Sequence, residues 1–358
     1  LNILQTPGGA DTQSKEVAEV KKIVLNLAFA AWAAMGTSMM AQAAPQLSPA
    51  TAQAEQALQA PKPVDVNPFP PVNPKNFTAA SPTAAEVDSF LKAIWGFDDN
   101  RIWSVAAVLK TPAPGVAKVV VFVADKGQAG KGRQTVFYIT PDGKHAIADT
   151  VIDFGATPFA DTRKILQERA DGPAKGAAGK GLLLVEFADL ADPRSRQAQD
   201  TMTSLASDFP QARIVVQPLP IAETRPFATR AALYGVCVRK AKGDAAYFQF
   251  AQAVYDKQAG LTIADAEKTL TDAATAAGAD GKSIAACADT PEARAQVQSY
   301  VKLGEDLGVD ATPILSINGR ILQLTANVPY ETLRRIVAYQ AKLDGIEVHL
   351  QPLLTNLK

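Results

Sequence analysis

Gly181-Leu182-Leu183-Leu184-Val185-Glu186-Phe187-Ala188-Asp189-Leu190-Ala191-Asp192-Pro193-Arg194-Ser195-Arg196 passes from an apolar half to a polar one. Its first half is a short apolar run after Gly-rich sequence, which predicts a buried central strand. Its second half reads as a helix start. Asp192 suits the N-cap, Pro193 suits the first helical position, and an amphipathic stretch follows to about residue 208. A strand running directly into a helix gathers free N–H groups and positive dipole at the joint.

This stretch resembles the DsbA-type thiol:disulfide oxidoreductases, whose thioredoxin-like strand reads roughly Val-Glu-Phe-x-Asp-x-x-Cys-Pro-x-Cys. In that family the helix start stabilises an attacking thiolate. On this pattern Asp192 and Ser195 stand where the cysteines belong, with Pro193 and Arg194 between them. A carboxylate or a hydroxyl forms no mixed disulfide, so no catalytic residue is expected at this degenerate site. The resemblance also implies that Glu186 is the acid assisting proton transfer to the second cysteine. With Ser195 there, it has no sulfur to serve. Arg194 and Arg196 oppose the helix dipole; they read as solvated, with pairing to Asp189 or Glu186, or binding of an acidic group, as alternatives. No Ser–His spacing supports a hydrolase built on Ser195.

Composition places the chain among ordinary globular proteins with room for two domains: 358 residues, 47% hydrophobic and 20% charged. A formal net charge of zero gives no bias toward nucleic acid or an anionic membrane. Two histidines (His145, His349) and two cysteines (Cys237, Cys287) match no zinc spacing, so neither a metal nor a cofactor is expected. Lys21-Lys22, an apolar run over 23–35 and Ala41-Gln42-Ala43 predict an export signal over 1–43, cleaved near Ala43. The run is too short and polar for a spanning helix, so a periplasmic or otherwise exported protein without a membrane anchor is expected.

Residues 44–80 are rich in Ala, Pro and Gln and read as an extended tether. A first domain is expected over 81–170. It opens with a capping box at Thr83-Ala84-Ala85-Glu86 and a helix carrying Val87, Phe90, Leu91 and Ile94, followed by strand-like runs at 102–109, 118–124, 134–140 and 145–151. Thr111-Pro112-Ala113-Pro114-Gly115 and Tyr138-Ile139-Thr140-Pro141-Asp142-Gly143-Lys144-His145 resemble the N-terminal domain of DsbC-type disulfide isomerases. The resemblance implies a cystatin-like α+β fold and a homodimer formed through edge strands. The 126–133 loop is longer than that pattern, and His145 reads as a turn-flanking residue rather than a catalytic one.

Residues 171–180 read as a plain linker, across which the two domains are expected to reorient. The second domain, 181–345, is expected to be α/β and thioredoxin-like, with a tail at 346–358. A second strand at 212–219 precedes an Ala-rich helical run over 227–307, which resembles the DsbA-type helical insertion. Gly308-Val309-Asp310-Ala311-Thr312-Pro313 then leads into a strand and the hairpin turn Asn318-Gly319. In the resembled families this Thr-Pro bond is cis and its backbone pairs with substrate peptide, which makes Ala311, Thr312 and Pro313 the peptide-binding residues. A helix over 330–343 closes the fold. Cys237 and Cys287 read as a structural disulfide of an exported protein, with a relocated redox pair or two free buried thiols as alternatives. The leading expectation is a redox-inactive thioredoxin-fold protein that binds a peptide or an unfolded, exported client. The alternative is a working thiol:disulfide enzyme using Cys237 and Cys287.

Overall fold

A computed structural model describes residues 68–127, 132–222, 225–325 and 328–348. The predicted signal at 1–43, most of the 44–80 tether, the centre of the 126–133 loop, His349 and most of the tail lie outside these residues.

The first domain opens with helix α1 (Ala84–Trp95). Its capping box is formed as predicted: the Thr83 hydroxyl accepts from the Glu86 N–H at 3.2 Å, and the Glu86 carboxylate accepts from the Thr83 N–H at 2.7 Å. An antiparallel meander follows, β1 (Arg101–Lys110), β2 (Ala117–Asp125), β3 (Arg133–Ile139), β4 (His145–Ile147) and β5 (Val151–Asp153), hydrogen-bonded in that order. The run expected at 145–151 is therefore two short strands. Alternation along β2 buries Ala117, Val119, Val121 and Val123 against Val87, Phe90 and Leu91 of α1, which gives the sheet one covered face.

Helix α2 (Ala160–Arg169) leads out of this domain. The segment then read as a linker is partly structural. Ala174–Gly176 forms β6, an edge strand antiparallel to β8 (Ala212–Pro218). Leu166 and Ala170, at the end of α2, pack with Leu183, Val185 and Phe187 of the second sheet. A Lys- and Gly-rich sequence carries no hydrophobic alternation, so backbone pairing there left no pattern to read.

The second sheet has the order β10-β9-β7-β8-β6. Its centre is β7 (Leu182–Ala188), parallel to β8 and antiparallel to β9 (Ile314–Ile317), and every residue of β7 is buried. Helix α3 (Pro193–Asp208) follows β7, and α9 (Tyr330–Leu343) closes the chain beside it, both packing on the face formed by Leu182, Leu184, Ile214, Leu315 and Ile317. Between β8 and β9 lies the helical insertion: α4 (Ala228–Lys242), α5 (Asp244–Asp256), α6 (Ala266–Ala276), α7 (Gly281–Ala288) and α8 (Pro291–Asp306).

The hairpin from β9 to β10 (Arg320–Gln323) turns at Asn318 and Gly319, both at positive φ. A Cβ on Gly319 would collide with the Phe159 carbonyl oxygen. Beyond this turn Arg320 is buried between the domains. Its guanidinium lies 4.3 Å from the Phe159 ring centroid and donates to the Ile94 carbonyl at 3.0 Å and to the Ala93 carbonyl. Tyr339 donates to the Lys92 carbonyl at 2.7 Å. The Ala93 and Ile94 carbonyls in the last turn of α1 are thus satisfied by the other domain, while the Lys92 carbonyl also accepts from the Gly96 N–H at 2.9 Å. That arrangement differs from the free reorientation expected of two linked domains.

Candidate functional site

The site is built at the joint of β7 and α3. Asp192 caps α3, accepting from the Arg194 N–H at 2.9 Å, and its side chain is only 1% exposed. Three side chains converge on its carboxylate. Thr312, the residue before Pro313, donates its hydroxyl to Oδ2 at 2.7 Å. Arg225 donates to Oδ2 at 2.8 Å, and Arg194 donates through Nη2 at 3.0 Å and through Nε to Oδ1 at 3.3 Å. Arg225 also reaches Oδ2 of Asp189 at 3.2 Å, so one guanidinium holds two buried carboxylates.

The two acids respond differently. Burial pushes the Asp192 carboxyl up, but hydrogen bonds from Arg194 and Thr312 outweigh it and hold the group below the usual range. Asp189 is pushed up by burial, which the Ala191 and Ile221 N–H groups and the Arg225 charge only partly offset. Ser195 is fully buried and its Oγ accepts the Asp189 N–H at 3.2 Å; no His or carboxylate is bonded to that oxygen among the described residues. Glu186 lies on the α3 face of β7. Its Oε1 accepts from Gln199 at 3.1 Å, while Oε2 is buried without a partner. Burial pushes its carboxyl up to about 7, against the opposing effects of the Lys175 charge and the Gln199 hydrogen bond.

The Thr312–Pro313 peptide bond is cis. Beside Pro313 lies a groove of about 420 Å³, with Ala198, Leu324, Val328 and Leu333 on its apolar side. Asp192, Arg194, Thr312 and Pro313 are therefore brought together, with Ala311 adjoining them along the chain. Pro193 occupies the exposed first position of α3. Arg194 pairs with Asp192, whereas the sequence suggested solvation or pairing with Asp189 or Glu186. Cys237 and Cys287 stand apart in the insertion, linking α4 to α7 as a disulfide. Among the described residues no group of three or more His, Cys, Asp or Glu could hold a metal. His145 lies on β4, beside the partly exposed Asp142 and Asp153.

Sequence reasoning missed Arg225 and Gln199. The available signal was charge balance: Glu186, Asp189 and Asp192 crowd one buried strand end, and buried carboxylates need a nearby cation.

A family model described as thioredoxin matches residues 177–338. The matched residues coincide with the second domain, whose fold is thioredoxin-like. Its insertion between β8 and β9 agrees with the DsbA-type arrangement that the sequence resembles. Similar solved structures include Proteus mirabilis ScsC in a transitional conformation, 23% identical, covering 51% of this chain and 81% of its own, with a TM-score of 0.42. A thioredoxin-like oxidoreductase from Silicibacter pomeroyi is 22% identical, covering 50% of this chain and 98% of its own, with a TM-score of 0.43. Oxidised BdbD from Bacillus subtilis is 18% identical, covering 48% of this chain and 93% of its own, with a TM-score of 0.43. No curated protein sequence matches the chain significantly. Among the described residues no helix is long and apolar enough to cross a membrane.

Proposed function

We propose that this chain is an exported, redox-inactive member of the thioredoxin family that binds a peptide or an unfolded protein client in the groove beside Pro313. One observation carries the reading. The two positions that would hold reactive sulfurs hold Asp192 and Ser195, both buried and both hydrogen-bonded into the scaffold. A thiol-exchange site needs an accessible thiolate; here a carboxylate is locked under the residue preceding the cis-proline. The fold and the groove persist while the exchange chemistry has no atom to run on.

Cys237 and Cys287 favour a structural role, because Cys237 is 1% exposed within the core of the insertion. Export rests on the Lys21-Lys22, apolar run and Ala41-Gln42-Ala43 pattern. Homodimerisation through the first domain is supported by strand β5, an edge strand whose Val151 is 63% exposed, with Tyr138 and Ile147 also exposed.

The test uses a thiol-free client, a reduced and carboxymethylated protein, so that exchange is excluded. The natural chain is expected to bind it and suppress its aggregation. Thr201→Trp, which places a large ring in the groove, is expected to abolish that effect. Equal binding by the Trp variant would overturn the groove as the site. Light scattering of the mature chain reads the oligomeric state, and a monomer would overturn the dimer.

A further inference from the structure

Among the described residues the groove is lined by a single charge, the guanidinium of Arg194, and by no carboxylate. Arg194 is an oriented cation rather than a loose one. Its Nε and Nη2 are both taken up by Asp192, which leaves Nη1 without a protein partner among the described residues, in a side chain that is 52% exposed. Within this cluster Asp192 is 1% exposed and Arg225 is shared between Asp189 and Asp192, so the Arg194 guanidinium is the group that reaches the groove.

Two acids on the helices that border the groove are engaged elsewhere. Asp208 takes Arg334 at 2.6 Å and Tyr330 at 2.6 Å, and Glu331 takes Arg334 at 3.0 Å. Gln197, Thr201, Gln323 and Thr325 complete the polar rim with neutral groups. The positive end of α3 lies at the same place and acts in the same direction.

We infer that the groove prefers a peptide with an acidic side chain, whose carboxylate bonds the free edge of the Arg194 guanidinium beside Pro313. This rests on the peptide-binding reading above and names the class of peptide. The preformed plane of Arg194 lowers the entropy lost on binding, since the fork is already held by Asp192. A lysine-bearing peptide meets like charge in the same place.

The experiment measures binding of three labelled peptides by fluorescence polarisation at low ionic strength. They are acetylated and amidated, so no terminal carboxylate competes, and differ only in a central Asp, Asn or Lys. The natural chain is expected to bind the Asp peptide about tenfold more tightly than the Asn peptide, with the Lys peptide weakest. Added salt is expected to shrink the Asp preference, a readout on the unmodified protein. Arg194→Gln is expected to bring the Asp and Asn affinities together, and Arg194→Glu to favour Lys. Equal affinities in the natural chain, or a preference that survives Arg194→Gln, would overturn the inference while leaving peptide binding intact. Failure of all three peptides to bind would instead overturn the groove reading itself.

Discussion

The Thr312 hydroxyl donates to the Asp192 carboxylate across 2.7 Å, tying the residue before the cis-proline to the cap of α3. On the thiol:disulfide oxidoreductase pattern Asp192 occupies the attacking-cysteine position. The bond therefore joins the two sides of the site with fixed polar contacts.

Arg225 bridges Asp189 and Asp192. Arg225→Met leaves two buried carboxylates short of a cation and is expected to cost about 3–5 kcal/mol at neutral pH. Denaturant titration measures it. The loss should shrink in acid, where protonation removes the uncompensated charges. An unchanged midpoint at neutral pH would show the bridge to be energetically idle.

Glu186 gives a pH dependence with a defined sign. Its carboxyl is raised from 4.5 to about 7 by burial, so over that window the folded state holds the proton more tightly than the unfolded state. Stability from this group is full below about 4.5, falls as pH rises through the window, and levels off above about 7. The drop is on the order of 3 kcal/mol. Glu186→Gln removes this component, so the difference between natural and variant stability curves isolates it. Parallel curves between pH 4 and 8 would contradict it.

The disulfide closes a separation of 50 residues. Replacing Cys237 and Cys287 by Ala should cost about 4 kcal/mol on the chain-entropy account. Because Cys237 is 1% exposed, mild reductant should leave the bond intact in the folded chain. Rapid reduction, followed by thiol labelling, would revive the reading of these cysteines as a working redox pair.

Arg320 tests the contact between the domains. Burial lowers its guanidinium to about 10, and Ala93 and Ile94 lose their partner if it is removed. Arg320→Ala is expected to destabilise the chain by about 3 kcal/mol and to open the segment around Phe159 to limited proteolysis. A protease pattern identical to the natural chain would show that the domains hold together without it.

Much of this was legible before the structure. Asp192-Pro193 announced the start of α3, Thr83 and Glu86 announced α1, and Asn318-Gly319 announced the hairpin, because each motif satisfies or turns its own backbone locally. The resemblance carried the thioredoxin-like core and the insertion. What stayed hidden depended on distant partners. Arg225 reaches Asp192 across 33 residues, and Arg320 reaches Ala93 across 227; no periodicity records such a contact. β6 escaped because a strand made of Ala174, Lys175 and Gly176 shows nothing but its pairing to β8.

If the scaffold is intact and only the sulfurs are missing, restoring two thiols at the joint of β7 and α3 restores exchange. Insulin reduction is measured for the natural chain beside the Asp192→Cys/Ser195→Cys double variant. No turnover is expected from the natural chain and measurable turnover from the variant. Turnover by the natural chain that is lost in Cys237→Ala would contradict that expectation, because the chemistry would then reside in the helical insertion.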